Sequence, residues 1–123
     1  MKASGTKFPC PCCGYLTFSG SPGSYDICHV CFWEDDPVQL LDPWYVGGAN
    51  KVSLQQAQEN YSRCGVSEEK FKDNVEGVLP DDVRDKSWRP VAEVDRKHVT
   101  TPAALDKQIP EGNWPWYYWE RKG

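Results

Sequence analysis

No apolar run in the 123-residue chain approaches the roughly 20 residues that a membrane-spanning helix needs, which argues against such a helix within it. An excess of basic residues is also missing: 14 Lys and Arg stand against 18 Asp and Glu, for a formal charge of −4. A protein that grips phosphates normally displays surplus cations, so nucleic acid is disfavoured as a direct ligand. Histidine is scarce, with only His29, which lies between two cysteines, and His98, which has no motif around it. Residues 1–7 hold no apolar stretch of the kind that directs export, so the expected compartment is the cytoplasm, where thiols stay reduced.

Against these absences stand six cysteines, four of them in two C-x-x-C pairs, Cys10/Cys13 and Cys28/Cys31, with fourteen residues between the pairs. Each pair can turn two sulfurs toward one ion, and the spacer is long enough to bring the second pair beside the first. A single structural Zn²⁺ is therefore expected, although four thiolates hold Fe²⁺ in similar geometry. Pro11 fixes φ after the first ligand, and Gly14 is free to take positive φ where backbone amides can face a thiolate. Tyr15–Phe18 reads as a strand, residues 19–24 as a turn and Tyr25–Ile27 as the return strand, giving a β-hairpin that carries the metal. Disulfides are the competing reading, and the reducing compartment weighs against them.

The other cysteines divide. Cys12 lies inside the first pair and is expected to be a bystander, with replacement of Cys10 or Cys13 as the alternative. Cys64 ends a helical pattern and reads as a buried small hydrophobe. His29, between two ligands, is expected to face solvent or to hydrogen-bond nearby, with replacement of a thiolate by its imidazole as the alternative. Loading four thiolates with Zn²⁺ takes the charge to about −6, and the ion contributes on the order of 10 kcal/mol to folding, so a chelator is expected to disorder roughly the first 35 residues.

The chain reads as one small α+β domain over residues 1–123: a zinc-ribbon-like module at 8–36, a connector at 37–52, a helical segment at 53–79 and an irregular, aromatic region at 80–123. Trp33, Trp44 and Tyr45 are expected to pack over the metal module and hold the connector. Ser53 and Gln56 form a capping-box signature, Leu54, Ala57, Tyr61 and Cys64 recur at helical spacing, and Gly65 is a stop. Ser67-Glu68-Glu69 caps a second, shorter helix with Phe71 and Val75, and Thr101 caps a third over Pro102–Lys107. The charged stretch between Pro80 and Lys107 reads as solvated surface. Trp114, Trp116, Tyr117, Tyr118 and Trp119 crowd the end of the chain, and folding back onto the core is favoured over an exposed patch.

Cys10-Pro11-Cys12-Cys13-Gly14-Tyr15, the run from Tyr25 to Asp36, and Gly48-Ala49-Asn50 leading to Ser53–Ala57 resemble the cysteine-rich CPCC family of bacterial proteins over about the first half of the chain. The resemblance implies a zinc-ribbon-like module, and similar small proteins are associated with bacterial toxin and immunity loci.

Four thiolates close a zinc shell, so the metal is expected to be structural and the protein not an enzyme. No βαβ pattern supports redox use of the pairs, and Cys64 with His98 lacks any catalytic motif. The expected function is protein–protein interaction, most specifically as an immunity protein that covers the active site of a cognate toxin. The surface expected to do this comprises Trp33, Glu34, Asp35, Asp36, Asp42, Trp44, Trp114, Trp116, Tyr117 and Trp119, with the acidic groups mimicking phosphates toward a basic partner and the aromatics as anchors. The alternative is a zinc-ribbon module that touches nucleic acid or the transcription machinery through a patch of Arg84, Lys86, Arg89, Arg96 and Lys97.

Overall fold

Both C-x-x-C segments turn the chain back on itself within six residues, and the strands grow out of those turns. A computed structural model describes residues 7–104 and 117–120. In it, strand β1 (Phe8–Pro9) enters the first turn and β2 (Leu16–Phe18) leaves it, pairing antiparallel with Phe8 opposite Phe18 and Pro9 opposite Leu16. The second turn behaves likewise. Ile27 bridges Glu34, and backbone bonds cross the turn from Tyr25 N to Asp35 O at 3.0 Å and from Asp35 N to Asp26 O at 2.9 Å.

The protein is thus a small α+β fold with an antiparallel hairpin near its start, but the pairing differs from the expected one. Leu16–Phe18 does not pair with Tyr25–Ile27. A C-x-x-C turn closes its own hairpin over six residues, so each pair supplies both strands locally and the spacer merely connects them. That spacer is tied down by carboxylates: Asp35 accepts bonds from Gly23 N (3.0 Å), Ser24 N (3.1 Å) and Ser24 Oγ (3.1 Å), and Asp26 accepts from Gly20 N (2.9 Å).

Helix α1 (Pro37–Leu41) occupies the segment expected to be irregular. Asp36 caps it, accepting from Val38 N at 2.7 Å and Gln39 N at 3.3 Å, and Pro37 sits at the first helical position where its missing N–H costs nothing. Leu40 and Leu41 enter the core. Polar bonds rather than rings hold the connector. The buried Gln39 amide donates to the carbonyls of Tyr45, Asn50 and Val52, and its oxygen accepts from the Asn50 backbone and side chain. Trp33 is fully buried, Trp44 is half-buried with the Arg96 guanidinium 4.3 Å from its ring centre, and Tyr45 is 44 % exposed, so of the three only Trp33 is core.

Helix α2 (Leu54–Cys64) begins and ends as its sequence predicts, with Ser53 Oγ accepting from Gln56 N at 3.1 Å and Gly65 in the left-handed conformation at φ 82°. Only half of the capping box forms, because the Gln56 side chain turns forward to Asn60 Oδ1 at 3.0 Å. Cys64 is half-buried rather than buried, with its sulfur at 4.0 Å from the Val66 carbonyl. The next helical piece is a 3-10 helix (Glu69–Asn74) without a side-chain cap. Thr101 Oγ1 accepts from Ala104 N at 3.1 Å, and residues 102–104 are helical; residues 105–107 lie outside the described residues.

The charged stretch after Pro80 is largely exposed, as expected, with only Asp95 of its described residues buried, but its backbone docks on the first cysteine turn. Val83 accepts from Leu16 N (2.8 Å), Tyr15 bridges Arg84, Asp85 N donates to Gly14 O (2.8 Å), and a 3-10 helix follows at Glu93–His98. Asp95, at 2 % exposure, takes both Arg89 Nη groups (2.9 and 2.8 Å) and caps the backbone at Ala92 N (2.7 Å). Tyr118 is fully buried among the cysteines and α2, and Tyr117 and Trp119 pack against the same core, so residues 117–120 fold back. No helix among the described residues is long and apolar enough to cross a membrane.

Candidate metal centre

The two cysteine turns repeat one another atom for atom. Cys10 O accepts from Gly14 N at 2.7 Å and Cys10 N donates to Tyr15 O at 2.8 Å; Cys28 O accepts from Phe32 N at 2.8 Å and Cys28 N donates to Trp33 O at 2.9 Å. Both turns need positive φ at the residue after the second cysteine, which is 83° at Gly14 and 70° at Phe32. Glycine accepts this conformation freely, whereas a bulky side chain is strained by roughly 1–2 kcal/mol. The Phe32 ring lies 4.5 Å from that of Phe71, a contact of the same order that offsets the strain.

Facing each other, the turns bring Cys10, Cys13, Cys28 and Cys31 together, all at 0 % exposure and with their sulfurs within 4.8 Å of one another. Cys10 and Cys31 lie 3.6 Å apart and Cys13 and Cys28 3.7 Å apart, as free thiols. A tetrahedron with metal–sulfur bonds of about 2.3 Å has edges of about 3.8 Å, close to these two separations, so the four sulfurs are gathered on the scale that one ion needs. Cys12 is buried at 1 % exposure but is not among the four. The four cysteines named as ligands from sequence are the four whose sulfurs the fold gathers.

The electrostatics suit a cation. Burial raises the Cys10 and Cys31 thiols well above their ordinary range. Cys28 is pulled far the other way by hydrogen bonds from Cys10, Cys13 and Cys31, with Thr17 Oγ1 adding a bond at 3.1 Å. The Val30 N–H also points at Cys28 Sγ at 3.4 Å. Donors aimed at one sulfur stabilise the thiolate that a metal ligates.

Later segments grip both turns from outside. Pro11 O accepts from Gln58 Nε2 (2.9 Å) and Trp88 Nε1 (2.8 Å), and Cys13 O accepts from Arg84 Nε (2.9 Å). Cys31 O accepts from Ser67 N, and His29 O from Glu76 N and Gly77 N. His29 hydrogen-bonds nearby, its Nε2 lying 2.8 Å from Asp82 Oδ2. Burial raises Asp82, but the Leu79 amide and the His29 ring outweigh it and hold the carboxyl below its usual range. Gln58 was open to detection, since it lies four residues after Leu54 on the apolar side of α2. Arg84 and Trp88 stand in a charged, aperiodic stretch that carries no signal.

The residues expected to face a partner are scattered by the fold. Trp33, Asp35 and Asp36 are at 0, 2 and 5 % exposure, so they present no surface; the two carboxylates are spent on the spacer turn and the α1 cap. Asp36 also accepts from Ala49 N at 2.8 Å. Glu34, Asp42, Trp44, Tyr117 and Trp119 are half-buried, with Asp42 accepting from Trp44 N and the Tyr117 and Trp119 rings stacked at 4.5 Å. Trp114 and Trp116 lie outside the described residues.

Two facing C-x-x-C turns with four buried sulfurs define a metal-binding cysteine protein of the knuckle type. The family model described as cysteine-rich CPCC matches residues 8–82, more than half the chain, and the protein belongs to that family. Comparison with curated proteins gave no match.

Proposed function

We propose that this is a non-enzymatic protein in which one structural Zn²⁺ holds a surface for protein–protein interaction, and that in its most specific form it acts in the cytoplasm as an immunity protein covering the active site of a bacterial toxin. The closure of the metal shell carries the reading. Four sulfurs at 0 % exposure leave no coordination position for substrate or water, so the ion's work is to hold the fold.

Beside the metal turns lies an apolar surface. Leu79 and Val83, 38 and 59 % exposed, line a groove of about 680 Å³ with Leu16 and Pro80, edged by Lys7, His29, Asp81 and Asp82. Exposed apolar clusters of this kind mark contact surfaces. Net acidity supports a basic partner, through exposed carboxylates rather than Asp35 and Asp36. A nucleic-acid role draws less support, because Arg84 stacks on Tyr15 and Trp88, Arg89 pairs with Asp95, and Arg96 pairs with Glu93 over Trp44.

Co-purification with the product of the adjacent gene tests the reading. A stable complex that Leu79→Asp with Val83→Asp abolishes, with metal content unchanged, supports it. A neighbour that neither binds nor loses toxicity in the presence of this protein contradicts the immunity role.

A further inference from the structure

A second groove, of about 440 Å³, lies between α2 and the chain that clamps the first cysteine turn. Its volume suits a small ligand or a single docked side chain. Arg84 is unusually prepared there. Its guanidinium carbon sits 4.9 Å from the Tyr15 ring centre and 5.3 Å from that of Trp88, and its Nε is engaged by Cys13 O. Among the described residues no acceptor meets its Nη1 or Nη2, so a planar fork is held in place with its two outer donor groups unused. Tyr61 lines the same groove, and among the described residues its hydroxyl likewise has no partner. Trp88, Pro90 and Val91 supply an apolar wall.

We propose that this groove binds a monocarboxylate bearing an apolar group, with the Arg84 fork on the carboxylate, the Tyr61 hydroxyl as a further donor and the Trp88 wall against the apolar part. Charge selects the class of anion. Four thiolates around a divalent ion carry a net charge of about −2, and they lie one backbone carbonyl away from Arg84. Glu59 adds a negative rim, held by Gln55 Nε2 at 2.7 Å. One guanidinium in that field suits a single negative charge and disfavours phosphate. Bidentate contact with a carboxylate also fits the planar fork better than it fits a lysine.

The metal-loaded full chain is titrated with phenylacetate, phenylacetamide and inorganic phosphate, following the Trp88 indole N–H and the Arg84 side chain by NMR. Saturable shifts are expected with phenylacetate, with the amide at least about tenfold weaker and phosphate weaker still. Arg84→Lys weakens phenylacetate about tenfold and Tyr61→Phe about threefold, at unchanged metal content. A peptide ending in a free C-terminal Phe separates the sources: tighter binding than phenylacetate assigns the carboxylate to a chain end, and equal or weaker binding to a free acid. Amide or phosphate binding as tight as phenylacetate, no shift with any probe, or undiminished binding in metal-loaded Arg84→Lys overturns the proposal. Should that variant fail to load metal, the acid-versus-amide comparison on the unaltered chain decides alone.

Discussion

Gly14 and Phe32 do the same backbone job with opposite means. At Gly14 an added Cβ would lie 2.7 Å from the Trp88 ring, in a conformation that L side chains resist. Gly14→Ala is therefore expected to cost about 2 kcal/mol or more, read as a lowered denaturant midpoint in the metal-loaded protein. The glycine was legible in the sequence, whereas Phe32 was not, because its strain is offset by Phe71, thirty-nine residues further on. Cys12 is the other residue-scale question. Its burial without membership of the four-sulfur cluster predicts that Cys12→Ser keeps one metal per chain by native mass spectrometry, while Cys13→Ser loses it.

Helix α1 shows how an element can hide in plain sight. Asp36-Pro37 is a cap followed by a first-turn proline, yet the three consecutive acids invite reading as a charged surface. Position along the chain does not reveal that Asp35 and Asp36 point inward; only the amides of residues 23, 24, 38, 39 and 49, brought close by the fold, do so. Asp36→Ala is expected to destabilise by about 1–2 kcal/mol through the lost cap, measured by urea unfolding. Were Asp36 instead a surface contact, stability would stay within about 0.5 kcal/mol. Helix α2 was legible from Ser53 to Gly65 because its cap, its apolar spacing and its stop are all local. The cysteine turns were legible for the same reason, while their strand partners were misassigned because pairing is set by the geometry of the turn itself.

Across the whole molecule the metal turns and the chain beyond residue 82 are interdependent, although the family match ends there. Arg84, Trp88 and Tyr118 fasten Pro11, Cys13 and α2 together, Tyr118 through the Arg89 carbonyl and Gln58 Nε2. None of these links could be read from sequence, since each joins residues more than twenty-five positions apart. Proton linkage belongs to this scale as well. Burial keeps Cys10 and Cys31 protonated in the metal-free fold, and a metal takes only thiolates, so binding expels protons and affinity rises with pH. With at least these two protons released, the apparent association constant is expected to rise about a hundredfold per pH unit between pH 5 and 7, measured by competition with a chromophoric chelator. A slope near zero would mean that the sulfurs are not the ligands.

The most direct test of a closed four-cysteine centre is X-ray absorption at the metal edge of the purified, full-length protein, with elemental analysis of the same sample. One zinc per chain is predicted, surrounded by four sulfur scatterers at about 2.3 Å and no lighter atom in the shell. A nitrogen or oxygen ligand, fewer than four sulfurs, or a folded protein that carries no stoichiometric metal would contradict it.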